Sequence, residues 1–118
     1  MKTTKNEVER FLKDFKLKSG IFQIIFLDDR GKNAKALLDL EISPGKRKEI
    51  INKLEVEDYS EGPLEEKMRG ILPMWVFGKM VKKQEVYIKI SMGVENSNTI
   101  CISFHPAEYP MNYPYKTS

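Results

Sequence analysis

Four residues near the end of the chain carry the most chemistry for their spacing. They are Tyr87 and Lys89 in VYIKI, and Ser103 and His105 in ISFH. In a β-strand, alternate side chains share a face. Val86, Ile88 and Ile90 then point one way, and Tyr87 and Lys89 the other. In TICISFH, Ile100, Ile102 and Phe104 share one side, and Cys101, Ser103 and His105 the other. Pairing the two strands so that isoleucines meet isoleucines sets the parity of the register. Tyr87, Lys89, Ser103 and His105 then converge, with cross-strand neighbours within about 5–8 Å. Histidine is the natural acid or base near neutral pH. A lysine is a point charge for phosphate oxygens. Tyrosine can donate a proton or position a phosphate. Such a set suits phosphodiester cleavage in RNA. That reaction needs a base for the 2′-OH proton, an acid for the leaving oxygen and a cation for the transition-state charge. A water-facing sheet surface carries the same residue types for no catalytic reason, so the constellation alone leaves both readings open.

Composition narrows the setting. The chain has 118 residues with 41% hydrophobic and 31% charged side chains, room for one globular domain. One cysteine, Cys101, forms no internal disulfide, and one histidine excludes a multi-histidine metal cluster. No apolar run approaches the roughly 20 residues that span a bilayer. MKTTKNEVER has no apolar stretch, so it does not read as a secretory signal. The expectation is a cytoplasmic protein without a metal or other cofactor. The net charge of +3 permits an anionic partner. Lys79, Lys82, Lys83 and Lys89 against Glu85 place part of it on one hairpin.

The elements that must position these residues follow from pattern. Thr3 to Lys18 reads as a helix, with Val8, Phe11, Leu12 and Phe15 on one stripe. Thr3, Thr4 or Asn6 can cap it, and Gly20 can end it in a left-handed turn. Ile21 to Leu27 reads as a strand covered on both faces or nearly so. Ala34 to Leu40 is open between a returning strand and a short helix capped by Asn33; its composition favours the helix. Ser43 and Pro44 start another helix, carrying Ile50, Ile51 and Leu54. That unit also resembles half of a helix-turn-helix, with Lys46, Arg47, Lys48 and Lys53 as a DNA-facing edge, but no recognition helix follows. Glu55 to Glu66 reads as a polar, acidic loop.

Met74 to Val81, Glu85 to Ser91 and Thr99 to His105 read as three strands joined by hairpins. A two-residue turn at Lys82-Lys83 places Trp75 and Phe77 on the Val86 face and Gly78 on the Tyr87 face; a three-residue turn reverses this. Cys101 reads most simply as a small buried residue, with a nucleophile beside His105 as the alternative. The fold class is α+β: a small antiparallel sheet of three to four strands with two to three helices on one side. Residues 1–105 form the domain and 106–118 an extended Pro/Tyr-rich strap.

The order of motifs — a helix, ALLDLEIS with a second helix ending IINKL, EDYSEGP, MWVFGK, VYIKI and ICISFH — resembles the MqsR family of bacterial type II toxins. The resemblance covers about Ala34 to His105, with the first helix also in place. It implies a RelE-like fold and a metal-independent mRNA endoribonuclease. It also implies a cognate antitoxin protein that neutralises the toxin, with DNA met only through that antitoxin. Tyr87 matches the active-site tyrosine of the family's strand. His105 stands where family members carry a catalytic lysine. Val76 stands where the family has a glutamine. The family's loop lysine has no match in Asp58-Tyr59-Ser60-Glu61. Lys67 or Arg69 can replace it in space, or Glu61 can act as a base. The expected site is therefore His105 and Tyr87 as catalytic residues. Lys89, Lys79, Tyr59, Ser60, Glu61, Lys67, Arg69 and Ser103 are expected around the substrate, and the strap is expected to cover the site or hold the antitoxin.

Overall fold

A computed structural model describes residues 2–28, 31–65 and 70–116. The chain runs α1 (Lys5–Ile21), β1 (Ile24–Phe26), α2 (Gly31–Leu40) and α3 (Pro44–Asn52). A single 3-10 turn at Val56–Asp58 leads into β2 (Tyr59–Leu64), β3 (Met74–Val81), β4 (Gln84–Ser91) and β5 (Thr99–Pro106). The architecture is α+β, with a five-stranded sheet in the order β1-β5-β4-β3-β2. β1 runs parallel to β5 and the other pairs are antiparallel. The sheet is thus mixed and one strand larger than expected.

Each departure has a local cause. α1 opens on a capping box: Thr4 Oγ1 accepts from the Glu7 amide, and Glu7 accepts from the Thr4 amide. It continues through Gly20 to Ile21, and the Phe22 amide closes it on the Lys18 carbonyl from an extended conformation. No left-handed residue is needed there. β1 therefore keeps only three residues, at the sheet edge, with Ile25 exposed, rather than a strand covered on both faces. The polar YSEGPL segment becomes β2 instead of a loop, pairing with β3 through two register shifts. Such shifts are typical of edge strands.

α1, α2 and α3 share one apolar core with a single face of the sheet. Val8, Phe11, Leu12 and Phe15 of α1 meet Phe77, Ile88, Ile90 and Phe104 in it, together with Ile50 and Ile51 of α3. Phe11 stacks on Trp75 with centroids 4.5 Å apart. Arg47 is turned inward, paired with Asp28 at 2.9 Å and lying 3.7 Å over the Phe26 ring. Lys46 and Lys53 pair with Glu49 of their own helix turn. The α3 face drawn as a DNA edge thus loses its arginine to the core.

Two details fix the open face. The β3–β4 turn is the two-residue one, with Lys82 and Lys83 both at positive φ, 50° and 69°. Phe77 accordingly pairs with Ile88, and Gly78 with Tyr87. Between β4 and β5, Lys89 pairs with Ser103 but Ile90 pairs with Cys101, so Ile102 is an inserted residue. This bulge reverses the parity below it. Cys101 moves to the helix-side core, against the expected shared face with His105. Asn33 of α2 fills the bulge from the side: its amide donates to the Leu27 and Ile102 carbonyls and its oxygen accepts from the Phe104 amide. Asn33 is therefore a buried plug inside α2, not its cap.

Candidate functional site

β4 and β5 place Tyr87 directly opposite His105 and Lys89 opposite Ser103. The Tyr87 and His105 rings stack at 5.4 Å and 13° from parallel. Lys89 Nζ lies 5.8 Å from the Tyr87 ring centre. His105 Nδ1 lies 2.9 Å from the Pro106 carbonyl. A carbonyl only accepts, so Nδ1 is the donor of that contact. Alternation along each strand is the reason these groups share a surface, and the Lys89/Ser103 pair lies just before the bulge, where parity still holds.

These residues line a cavity of about 690 Å³. Ser60 and Glu61 of β2 form one wall, Gly31 to Asn33 of α2 another, and Val76 lies on the floor. The strap forms the third wall, through Glu108, Tyr109, Pro110, Met111 and Asn112. It is anchored on one β4 residue. The Ala107 amide donates to the Glu85 carbonyl, and the Met111 amide and the Tyr113 hydroxyl donate to the two carboxylate oxygens of Glu85. Burial and the Glu85 carboxylate both push the Tyr113 phenol above its ordinary pKa, so it stays a donor. The Tyr113 ring stands over Gly78, where a Cβ would meet ring carbons at 2.8 Å. Gly78 is small because the strap, not a substrate backbone, occupies its space. The strap then reaches the far edge, where Tyr115 stacks on Tyr59 at 5.8 Å and its hydroxyl donates to the Thr3 carbonyl.

Six of the residues expected at the site are brought together: His105, Tyr87, Lys89, Ser60, Glu61 and Ser103. Two are not. Lys79 alternates onto the other face, where it pairs with Asp58 at 3.0 Å. Tyr59 is buried in the helix-side core, its hydroxyl donating to the Gly62 carbonyl. Lys67 and Arg69 lie outside the described residues. The hairpin charge is also split: Lys82 Nζ reaches back to the Glu41 carbonyl, and Glu85 is spent on the strap. Among the described residues no three His, Cys, Asp or Glu side chains group closely enough to share a metal ion. None of the described helices is long and apolar enough to cross a membrane.

Sequence reasoning missed Lys32, Glu108 and Tyr109. Lys32 sits in a turn signal and the other two in the strap, and nothing in their spacing ties them to β5. The fold does so by laying α2 along the half of β5 beyond Cys101, which the short β1 does not pair. No family model, curated protein or solved structure matches the chain.

Proposed function

We propose that the protein is a metal-independent endoribonuclease with a RelE-like fold, the toxin of a type II toxin–antitoxin pair resembling the MqsR family. The observation that carries the reading is the stacked Tyr87–His105 pair beside Lys89 in a strap-walled cavity. A single-stranded RNA backbone fits an open cleft that offers cations and exposed aromatic edges.

In the proposed reaction Glu61 takes the proton of a ribose 2′-OH. The 2′ oxygen bonds to phosphorus, and the bond from phosphorus to the 5′ oxygen breaks. His105 donates the Nε2 proton to that leaving oxygen, giving a 2′,3′-cyclic phosphate and a 5′-hydroxyl. Lys89 offsets the charge that builds on the phosphorane oxygens. Tyr87 holds the imidazole by stacking and offers its hydroxyl to the phosphate. Histidine in the place of the family's lysine keeps a side chain that can donate a proton to the leaving oxygen. Lys79 and Tyr59 have no role in this scheme. The antitoxin rests on the family resemblance alone.

The test is cleavage of single-stranded RNA by the wild type, His105→Ala and Tyr87→Phe, in the presence of a chelator. Cleavage by the wild type, lost on His105→Ala, is expected. Full activity in both variants removes these residues from the chemistry, and an inert wild type removes the ribonuclease. In that second case the Val76 and Asp58–Glu61 departures point to a non-catalytic pairing module. Growth arrest on induction, rescued by a neighbouring reading frame, separates toxin from module.

A further inference from the structure

Glu108 stands at the first turn of the strap and carries its carboxylate into the cavity wall. Its Oε1 lies 2.5 Å from Lys32 Nζ. The Lys32 hydrogen bond, then the Lys32 charge and, to a smaller extent, the His105 charge hold the Glu108 carboxyl below the usual carboxylate range. The carboxylate therefore shares one cavity with Lys32 of α2 on one side and His105 of β5 on the other. Both side chains of the pair are more than half exposed, 61% and 55%. An ion pair so exposed is weak and easily exchanged for another anion.

We propose that Lys32 and His105 frame a phosphodiester subsite of single-stranded RNA, which the Glu108 carboxylate occupies in the free protein. This inference rests on the ribonuclease reading and deepens it. The strap need not leave for the exchange to happen. It is tied to Glu85 at Ala107 and again at Met111 and Tyr113, so only the span between the ties has to yield. Glu108 turns out, a phosphate takes its place on Lys32, and Tyr109, 81% exposed on the same span, is carried along beside the bound strand. An aromatic ring so placed offers a stacking surface to a neighbouring base.

Two probes test this: inorganic phosphate, followed by the NMR shift of the His105 ring, and a short 2′-O-methyl oligoribonucleotide, followed by fluorescence anisotropy. The methyl group blocks the nucleophile, so binding is read without cleavage. Glu108→Gln is expected to tighten both probes by about two- to fivefold, and Lys32→Gln to weaken both by a similar factor. The double variant should bind like Lys32→Gln alone, because Glu108 competes only for that site. Equal tightening by Glu108→Gln with and without Lys32 would show a general charge effect and overturn the proposal. Probes that fail to bind the wild type, or bind Lys32→Gln unchanged, overturn it as well. The two readings separate cleanly. RNA cleavage with an unchanged KM in Lys32→Gln overturns the subsite and leaves the ribonuclease. Phosphate binding that depends on Lys32, with no RNA cleavage by any form, supports the subsite and overturns the ribonuclease.

Discussion

Tyr87 and His105 face each other across the β4–β5 ladder with their rings 5.4 Å apart and nearly parallel. The pair lies on the sheet face that the helices leave open, while Ile88 and Phe104, the next pair along, lie buried in the core. The core thus fixes the orientation of the two rings from behind. A side chain positioned in this way gives up little freedom when it binds a substrate.

His105→Ala is expected to lower kcat for RNA cleavage by about 10²- to 10⁴-fold, the usual range for a positioned general acid. Tyr87→Phe keeps the stacked ring and loses only the hydroxyl, so the loss should be smaller, roughly 10- to 100-fold. Both residues are only partly buried, and their variants should melt close to the wild type. Thermal unfolding alongside single-turnover kinetics checks the point. A loss of activity that tracks a loss of fold would return the pair to a structural role.

Lys79 and Lys89 lie on adjacent strands and opposite faces, which gives a paired prediction. Lys89→Met should weaken RNA binding and make its salt dependence shallower by about 0.7 in log–log slope. Lys79→Met should leave both unchanged and instead cost about 1 kcal/mol of stability, because Asp58 loses a partly buried cation. Asp58 retains the Glu55 amide as a donor, which limits the cost. Anisotropy titrations at several salt concentrations, with urea unfolding, measure both. Equal weakening of RNA binding by the two variants contradicts the assignment of faces.

Cys101 is 1% exposed, and burial pushes its thiol up to about 12, with the nearby Arg47 charge opposing that rise only in part. The unfolded chain releases the same proton near pH 8.5. The folded pKa is the higher one, so the associated stability is complete below the unfolded value and is lost as pH rises towards the folded one. Between pH 9 and 11 the wild type should lose stability more steeply than Cys101→Ala, by at most about 1.4 kcal/mol per pH unit. Urea midpoints at three pH values provide the slopes. RNA cleavage by Cys101→Ala should persist, since the thiol lies on the core side of the bulge. Parallel slopes would place the thiol in contact with solvent.

The parts of the site that were legible are those governed by strand parity. Alternation in VYIKI and in the Ser103–His105 end of β5 suffices to bring Tyr87, Lys89, Ser103 and His105 together, and the two-residue turn at Lys82-Lys83 decides only which face Trp75, Phe77 and Gly78 take. Parity failed at Cys101, because Ile102 is apolar like its neighbours and nothing marks it as a bulge. Charge summed along the hairpin points to Lys79, whereas charge acts through the face on which it stands. Tyr59 lies in a segment whose Gly62-Pro63 are strand breakers that only an edge strand tolerates, so its pattern suggests a loop where β2 forms. The strap was visible as composition. Its seat was not, because the Tyr113–Gly78 contact joins residues far apart in sequence and depends on the sheet being built first.

Asn33 is the residue whose loss should be felt most widely. It supplies hydrogen bonds to three backbone groups that the β5 bulge and the end of β1 leave without strand partners: the Leu27 and Ile102 carbonyls and the Phe104 amide. It is 3% exposed, so water cannot replace it at those groups. Asn33→Leu keeps the volume and removes every one of these bonds. With each buried polar group left unsatisfied costing about 1–3 kcal/mol, and relaxation recovering part of it, the expected loss is about 2–5 kcal/mol. The same groups flank Ser103 and His105, so the folded fraction of the variant should also cleave RNA more slowly than the wild type. Urea unfolding gives the first quantity, and activity corrected for the folded fraction gives the second. A variant within about 0.5 kcal/mol of the wild type would mean that the bulge finds its partners elsewhere, because an ordinary surface position shows changes of that size.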